Sequence, residues 1–240
     1  MNYQKSHPES IKNLFASIAE RYDLTNGVNS LGLHLLWNRS LQKALFHPPM
    51  GGGCLDLCCG TGAISLPFLR RTSARQTFHL IDFCQPMLDK ARQRAASYGL
   101  MERHDLQFTQ ADAQELPLGD GSIERIAMAY GIRNIADPER ALRESYRIAR
   151  PGAELGILEL TRPSSALLRR GHSFYLRHLL PRLGKVCTSN REAYQYLCET
   201  IQQFIEPKEL EAMIRGEGFS EVTVRPLSGG IVHLFHAKKR

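Results

Sequence analysis

The pattern of apolar and polar positions changes near residue 50 of the 240-residue chain. From Ser10 to Phe46 the pattern is helical, with a break predicted at Asn26-Gly27. The prolines and glycines of residues 47–53 end this helical region. We therefore expect a helical cap over residues 1–50 and a second unit over residues 51–240.

Short apolar runs alternate with helix-like segments in the second unit. The runs lie at residues 54–58, 78–81, 106–109, 123–130 and 155–160, and the helical segments at 64–71, 86–98 and 138–149. Such alternation predicts a doubly wound, mostly parallel sheet with helices on both faces. A further helix is predicted at 207–216. The runs 222–225 and 231–235, joined at Ser228-Gly229-Gly230, predict an antiparallel last strand.

An insertion at about residues 162–204 interrupts this alternation. Its apolar side chains recur at a spacing of three and four residues, which predicts an amphipathic helix interrupted by Pro181. They are Leu168, His172, Tyr175, Leu176, Leu179, Leu180 and Leu183. Two interpretations remain open at this point, a helix that covers the sheet and a lid over a substrate.

The charge of the chain is concentrated in this insertion. Lys+Arg is 31 and Asp+Glu is 24, so the net charge is +7, which is typical of proteins that bind nucleic acid or anionic membranes. Residues 160–191 contain seven Arg or Lys and no acid, so the rest of the chain has 24 of each sign. A localised patch favours contact with a substrate or an anionic membrane and disfavours nucleic acid.

A glycine-rich turn and three acidic residues follow the first three predicted strands. The turn contains Asp56, Gly60, Thr61 and Gly62; Asp82 ends the second strand, 20 residues after Gly62, and Asp112-Ala113 follows the third. The carboxyl ends of parallel strands are where open α/β sheets bind nucleotide-like ligands. Ser65 stands where dinucleotide binders have a third glycine, which disfavours a nicotinamide site but leaves it open.

These elements, in this order, resemble the class I S-adenosylmethionine-dependent methyltransferases, with their Rossmann-like sheet. The resemblance implies S-adenosylmethionine as the cofactor and no metal. It further implies that Asp56, Gly60, Thr61 and Gly62 face the methionine part of the cofactor. By the same resemblance, Asp82 binds the ribose hydroxyls, and Asp112 and Ala113 lie at the adenine.

Further segments resemble a narrower family, the ubiquinone/menaquinone biosynthesis C-methyltransferases. They are the residues Tyr22, Asp23, Asn26, Ser30, His34 and Trp37, the segment 131–134, and the segment 147–161. The resemblance implies methylation of a ring carbon in a prenylated quinol. We expect demethylmenaquinol as the acceptor, with the methoxy-benzoquinol precursor of ubiquinone as a second one.

The resemblance places four candidate catalytic residues. Arg133 and Asn134 are expected at the acceptor ring, where Arg133 stabilises the developing phenolate, because a guanidinium cannot act as an ordinary base. Tyr22 and His34 are second candidates, His34 as a base. The alternatives are a surface arginine at position 133 and a purely structural His34.

Other functions stay open at this point. A class I methyltransferase for a sterol, a fatty-acid chain or another small acceptor is one alternative, and a non-catalytic cofactor-sensing or RNA-binding module is another. The polar first ten residues lack the apolar core of a signal peptide. We therefore expect a cytoplasmic protein that contacts the inner face of the membrane through residues 160–191. The oligomeric state is left open, a homodimer included.

Overall fold

A seven-stranded sheet lies at the centre of the computed structural model, which describes residues 8–48, 50–163, 165–180 and 191–240. The strands are β1 (Gly53–Leu57), β2 (Thr77–Asp82), β3 (Asp105–Gln110), β4 (Ile123–Ala129), β5 (Ala149–Leu160), β6 (Ser220–Leu227) and β7 (Val232–Lys238). Their order across the sheet is β3-β2-β1-β4-β5-β7-β6. The first five run parallel, and β7 is antiparallel to both β5 and β6. The predicted mostly parallel sheet with an antiparallel last strand is confirmed.

The helices precede the sheet or connect its strands. They are α1 (Pro8–Ile18), α2 (Tyr22–Asn29), α3 (His34–Leu45), α4 (Ser65–Leu69), α5 (Gln85–Ser97), α6 (Leu100–Arg103), α7 (Pro138–Ile148), α8 (Ala166–Phe174), α9 (Arg191–Gln203) and α10 (Pro207–Gly216). None of the helices in the described part of the chain combines the length and apolar character needed to cross a membrane.

Alternation along each strand divides the core between the two faces of the sheet. Leu55 and Leu57 of β1 pack in one cluster with residues of α7 and α10, whereas Cys54 packs in the other with residues of α3. This follows from the two-residue period of a strand, whose successive side chains point to opposite faces. Helices therefore cover both faces, as the sequence predicts.

Helix α3 packs closely against β5 because Gly156 has no side chain. A Cβ atom at Gly156 would lie 2.6 Å from Cδ1 of Leu45 and 2.7 Å from Cδ1 of Leu41. Both leucines are fully buried. This packing holds the second half of α3 directly against β5.

One predicted helix boundary is wrong. The break expected at Asn26-Gly27 lies instead at residues 30–33, where Leu31 and Gly32 have φ values of +51° and +79°. Helix α2 continues through Asn26-Gly27, since an interior glycine costs a helix only about 1 kcal/mol. The turn consequently presents a run of leucines that the sequence pattern had placed within one helix.

The apolar stripe of the insertion is only partly buried. Helix α8 is followed by a π-helical turn at Tyr175–Leu179. Leu176 and Leu180 are buried against Ile201 of α9, whereas Leu168 and Leu179 remain exposed. Pro181 and Leu183 lie outside the described residues. The stripe therefore forms a small core of its own and leaves some of its leucines at the surface.

Candidate active site

The glycine-rich turn after β1 is held in a left-handed conformation. Gly60 and Gly62 have φ values of +53° and +75°, and Cys58, directly after the strand, has a φ of +55°. Glycine adopts this region at little cost, and without a side chain it lets the backbone approach a ligand closely. The turn lies beside the ends of β2 and β3, because β1, β2 and β3 are neighbours in the sheet.

Asp82 connects the glycine-rich turn to the end of β2. Its Oδ2 accepts a hydrogen bond from the backbone N–H of Gly60 at 2.8 Å, and its Oδ1 accepts one from Cys84 at 2.9 Å. Burial raises the pKa of Asp82, while these backbone donors lower it. A carboxylate has about four lone-pair sites, so Asp82 retains capacity to accept from a ligand hydroxyl.

A cavity of about 260 Å³ opens at these strand ends. Of the residues predicted to bind the cofactor, it is lined by Gly60, Asp82, Asp112 and Ala113. Asp112 is exposed and accepts hydrogen bonds from the backbone and side chain of Gln114. The structure thus brings the ends of β1, β2 and β3 to one cavity.

Asp56 is buried beneath the glycine-rich turn and lies outside that cavity. Its Oδ2 accepts from the backbone N–H of Ser65 at 3.1 Å, and its Oδ1 has no hydrogen-bond partner in the described part of the chain. Burial raises the pKa of Asp56 to about 7. An unpaired carboxylate oxygen in this position would gain from a cationic neighbour.

A second cavity of about 430 Å³ lies between the N-terminal helices and the insertion. Its lining is mostly apolar and includes Trp37, Leu160, Leu176 and Ile201. Of the other residues predicted to bind the cofactor, Asp56 and Thr61 line this second cavity, whereas Gly62 lines neither of the two cavities. Both cavities are lined by Tyr22, Cys58, Gly60, Ala129, Tyr130 and Arg133. These shared residues form the junction between the two cavities.

Arg133 lies at the junction in a 3-10 turn after β4. Its side chain is only 5% exposed, so the surface alternative for this arginine is wrong. Nη1 donates to Oε1 of Glu159 at 2.5 Å and to the carbonyl of Tyr130 at 2.6 Å. Its Nε has no hydrogen-bond partner in the described residues. A buried donor without a partner is costly, and a ligand in either cavity could satisfy it.

The charge of Arg133 is balanced by Glu159 at the end of β5. Glu159 is fully buried, and its Oε1 also accepts from the backbone N–H of Leu160 at 2.8 Å. Burial alone lowers the pKa of Arg133, but the Glu159 carboxylate raises it, and the pKa ends above its ordinary value. Arg133 is therefore a fixed cation and not a base.

Asn134 is held beside Arg133 by two hydrogen bonds. Its Nδ2 donates to the carbonyl of Tyr130 at 3.1 Å, and its Oδ1 accepts from the hydroxyl of Tyr196 at 2.8 Å. It lines the first cavity only. Tyr196 is on α9, so this contact attaches the insertion to the junction.

Tyr22 and His34 occupy different positions. Tyr22 lines both cavities, and burial raises its pKa while the nearby Arg133 lowers it. His34 lines only the second cavity, where Nδ1 lies 2.7 Å from the Ser30 hydroxyl and burial lowers its pKa. The structure therefore brings Tyr22 to the junction and leaves His34 outside it.

A polar network that the sequence did not predict links the glycine-rich turn to the N-terminal helices. The hydroxyl of Thr61 donates to Oδ1 of Asp23 at 2.8 Å. Nη1 of Arg94, on α5, donates to Oδ2 of Asp23 at 2.6 Å and to the carbonyl of Thr61 at 3.0 Å. Asp23 belongs to the N-terminal signature segment, which was the only sequence signal for a role at this site.

Comparison with known families gives a match over almost the whole chain. The model of the ubiE/COQ5 methyltransferase family matches residues 3–239. A demethylmenaquinone methyltransferase of Protochlamydia amoebophila is 44% identical over 229 residues, which cover 95% of this chain and 94% of that protein. The ubiquinone/menaquinone biosynthesis C-methyltransferase UbiE of Rickettsia bellii is 34% identical, over 95% of this chain and 92% of its own.

Solved structures share the fold at lower identity. A SAM-dependent methyltransferase of Thermotoga maritima superposes with a TM-score of 0.63 at 20% identity, covering 95% of this chain and 99% of that one. Phosphoethanolamine N-methyltransferase 2 of Haemonchus contortus, solved with S-adenosyl-L-methionine, has a TM-score of 0.60 at 15% identity, covering 84% of this chain and 52% of that one. These structures support the fold alone.

Proposed function

The chain belongs to the ubiE/COQ5 methyltransferase family, and from this premise we propose that its acceptor is a prenylated quinol, demethylmenaquinol first. It is an S-adenosylmethionine-dependent C-methyltransferase of quinone biosynthesis. One observation supports the acceptor in particular. A large apolar cavity meets the cofactor cavity at a buried arginine, which suits a ligand with an apolar tail and an ionisable ring.

The first cavity and its surroundings fit S-adenosylmethionine. Asp82 would hold the ribose hydroxyls, and Asp112 and Ala113 would lie at the adenine. Gly60, Thr61 and Gly62 would let the backbone approach the methionine part. The unpaired Oδ1 of Asp56 suits an environment that contains the positive charges of the cofactor. When bound, the cofactor supplies an electrophilic methyl group on a sulfonium sulfur.

The acceptor ring would lie at the junction, with its tail in the second cavity. A quinol carbon becomes nucleophilic as the neighbouring hydroxyl loses its proton, so the enzyme must stabilise the resulting phenolate. Arg133 provides a fixed positive charge there and an unpaired Nε donor. Preorganised donors of this kind commonly contribute 10²–10³-fold to the rate, about 2.7–4 kcal/mol.

The proton of the quinol hydroxyl would pass to water oriented by Arg133. After methyl transfer, the hydrogen on the methylated ring carbon would leave as a proton and the ring oxygen would regain one, which restores the aromatic quinol. Asn134 and Tyr22 would complete the polar surroundings of the ring, Asn134 through its fixed amide and Tyr22 through a hydroxyl whose burial keeps it protonated. His34 would lie farther out along the acceptor cavity. Its role is therefore better described as lining than as base catalysis.

The proposal also covers the segments that would enclose the acceptor and the surface that would face the membrane. Residues 1–50 and the insertion at about 162–204 would close over the acceptor, and the basic residues of 160–191 would face an anionic membrane. The polyprenyl tail of the acceptor stays in the bilayer, so the enzyme must meet its substrate at the surface. Juxtamembrane bases contribute about 1 kcal/mol each near an anionic surface.

Product analysis tests the acceptor directly. Purified protein is given labelled S-adenosylmethionine with either demethylmenaquinol or the methoxy-benzoquinol precursor of ubiquinone. We expect one added methyl group on the naphthoquinol ring carbon, identified by mass analysis. A parallel reaction is given a sterol or a fatty-acid chain as acceptor. Label there, with neither quinol methylated, would contradict the proposal.

The variant Arg133→Ala tests the junction. We expect turnover to fall by at least about 100-fold, because the phenolate loses its fixed cation. The dissociation constant for S-adenosylmethionine, measured by calorimetry, should stay within about threefold, because Arg133 lies at the acceptor side of the cofactor cavity. Thermal unfolding of the same preparation checks that the variant is folded. Near-normal quinol methylation would remove Arg133 from the mechanism.

A further inference from the structure

Exposed large apolar side chains are concentrated around the mouth of the second cavity, which we call the acceptor cavity. Ten such side chains occur in the described part of the chain, and nine of them lie between residues 24 and 36 or between 167 and 179. They are Leu24, Leu31, Leu33, Leu35, Leu36, Leu167, Leu168, Phe174 and Leu179; the tenth is Met101. Clustered exposed apolar residues mark an interaction surface, whereas scattered ones do not.

The two segments meet at the cavity. Leu31 and Leu33 line it from the turn between α2 and α3, and Leu167 and Leu168 line it from α8. The hydroxyl of Tyr175 donates to the carbonyl of Asn29 at 2.9 Å, which ties the two segments together. We call this surface, formed by residues 31–36 and 167–179, the leucine rim.

The turn before α3 and the first residues of α3 contribute the most protruding side chains of the leucine rim. Leu31 is 72% exposed, and Leu35 and Leu36 are 64% and 63% exposed. The φ of +51° at Leu31 and of +79° at Gly32 reverses the chain there. Trp37, which follows the exposed leucines, is buried and donates from Nε1 to the hydroxyl of Ser228 at 2.8 Å. The turn is thus anchored at its base while its leucines point away from the protein core.

The two sequence segments that form the leucine rim contain basic residues and no acidic ones. Residues 24–55 contain no Asp or Glu, and neither do residues 160–191. The exposed cations Arg39 and Lys43 follow the leucines of the turn, and Arg170 and Arg177 accompany those of the insertion. Met101, by contrast, is adjacent to Glu102 on α6. Asp23, which lines the same cavity, is paired with Arg94. Apolar side chains bordered mainly by bases suit a surface that is apolar inside and anionic outside.

We propose that the leucine rim docks the enzyme on an anionic lipid bilayer, with Leu35 and Leu36 inserted among the lipids. The inference rests on the proposed function in one respect, because a prenylated acceptor would then enter the cavity directly from the bilayer. It adds the first residues of α3, together with the turn that precedes them, as the inserting element, whereas the charge pattern alone indicated only residues 160–191. Lipid contact also accounts for the exposure of leucines that no described residue covers.

Vesicle binding by the full chain tests the docking surface. The probes are vesicles of phosphatidylglycerol with phosphatidylcholine and vesicles of phosphatidylcholine alone. The double variant Leu35→Ser/Leu36→Ser should bind the anionic vesicles at least about tenfold more weakly, since two leucine side chains no longer gain from transfer out of water. Met101→Ser is the matched control and should bind as the unchanged protein does. Equal binding by the double variant, or no binding by the unchanged protein, would overturn the proposal.

Two further readouts separate folding and catalysis from docking. Neither Leu35 nor Leu36 lines the acceptor cavity, so the double variant should methylate a quinol with a single-isoprene tail at the normal rate. Absence of that turnover in the unchanged protein would be a failure of the proposed function and not of docking. Hydrogen exchange on the unchanged protein needs no variant. Anionic vesicles should protect the amides of residues 31–36 and leave those around Met101 unaffected. Protection around Met101 without protection at residues 31–36 would overturn the docking proposal.

Discussion

At the scale of single residues, the junction depends on a buried ion pair. Glu159 is fully buried, and its carboxylate accepts hydrogen bonds from both the guanidinium and the backbone N–H of Arg133. These bonds hold the guanidinium in place. We regard Glu159 as a positioning residue, since it lines neither cavity and acts through Arg133. Its spacing from Arg133 follows from the adjacency of β4 and β5 in the sheet.

The variant Glu159→Gln should lower kcat by about tenfold or more, because Arg133 loses the charge that fixes it. The KM for quinol and the dissociation constant for the cofactor should change little. The matched control is Glu154→Gln on the same strand, where the carboxylate lies near Arg125 and hydrogen bonds His236. Removing one partner of a buried pair costs about 3–5 kcal/mol of stability, so both variants should unfold earlier. Equal loss of kcat in both would reduce the role of Glu159 to stability.

Asp56 makes the stability of the ligand-free protein depend on pH. Burial raises its pKa from 3.8 to about 7. Between these two values the folded protein binds more protons than the unfolded chain. The free energy of unfolding contributed by this group is therefore greatest at low pH, falls as the pH rises from about 4 to about 7, and is constant above.

The variant Asp56→Asn should lack this contribution. Urea unfolding of both proteins at pH 5 and pH 7.5 measures it, and the unchanged protein should lose about 2–3 kcal/mol more than the variant over that interval. Saturating S-adenosylmethionine should reduce the difference, because positive charge stabilises the carboxylate. Parallel pH profiles for the two proteins would show that Asp56 keeps its ordinary pKa.

At the scale of elements, the sequence predicts strands and helices better than their ends and partners. The strand that starts at Gly53 ends at Leu57 because Cys58 has a positive φ, which no apolar run reveals. Likewise, the last two strands pair as predicted, but the insertion of β7 between β5 and β6 depends on the edge that β5 offers. Local patterns predict hairpins, whereas strand order depends on contacts between distant residues.

In the candidate site, too, local sequence signals predict individual residues but not their distant partners. Asp82, predicted from its spacing, and Arg133, implied by the family resemblance, line the cavities because strand ends converge at one edge of a parallel sheet. Their partners were not predicted, since Glu159 lies 26 residues after Arg133 and Arg94 lies 71 residues after Asp23. No local period connects such residues. The mouth of the acceptor cavity was also missed, because the turn at Leu31-Gly32 was assigned to Asn26-Gly27.

The network of Asp23, Thr61 and Arg94 joins three elements and leads to a prediction about cofactor release. Asp23→Ala removes both an ion pair and a hydrogen bond to the glycine-rich turn. Half-exposed interactions of this kind are worth about 1 kcal/mol each. Stopped-flow measurements should therefore show cofactor dissociation faster by about three- to tenfold, with faster hydrogen exchange in α2.

The control for this network is Glu20→Ala. Glu20 pairs with Lys90 on the same helix as Arg94, at 2.7 Å, but it makes no contact with the glycine-rich turn among the contacts described. It should leave cofactor dissociation unchanged. If both variants release the cofactor equally fast, the effect comes from general loosening of the N-terminal helices and not from Thr61.

At the scale of the whole molecule, the net charge of +7 has a local meaning. The acids and bases outside residues 160–191 balance, and Arg169, Arg170 and Arg177 of that segment lie within the range of the leucine rim. Electrostatic attraction and apolar insertion would then act on the same face. They differ in their response to salt, because the Debye length falls from about 10 Å at 0.1 M to about 3 Å at 1 M while burial of leucines is not weakened.

Salt should therefore separate two activities of one enzyme. Turnover of demethylmenaquinol in anionic vesicles should fall several-fold between about 0.05 and 0.5 M sodium chloride, because the attraction of the bases to the surface is screened. Turnover of a quinol with a single-isoprene tail in solution should be nearly constant, since its approach to the buried Arg133 needs no membrane. The variant Arg170→Gln/Arg177→Gln should start from lower vesicle turnover and show a weaker salt dependence. A fall of both activities in parallel would place the salt effect at the catalytic site, and the positive charge of residues 160–191 would then need another explanation.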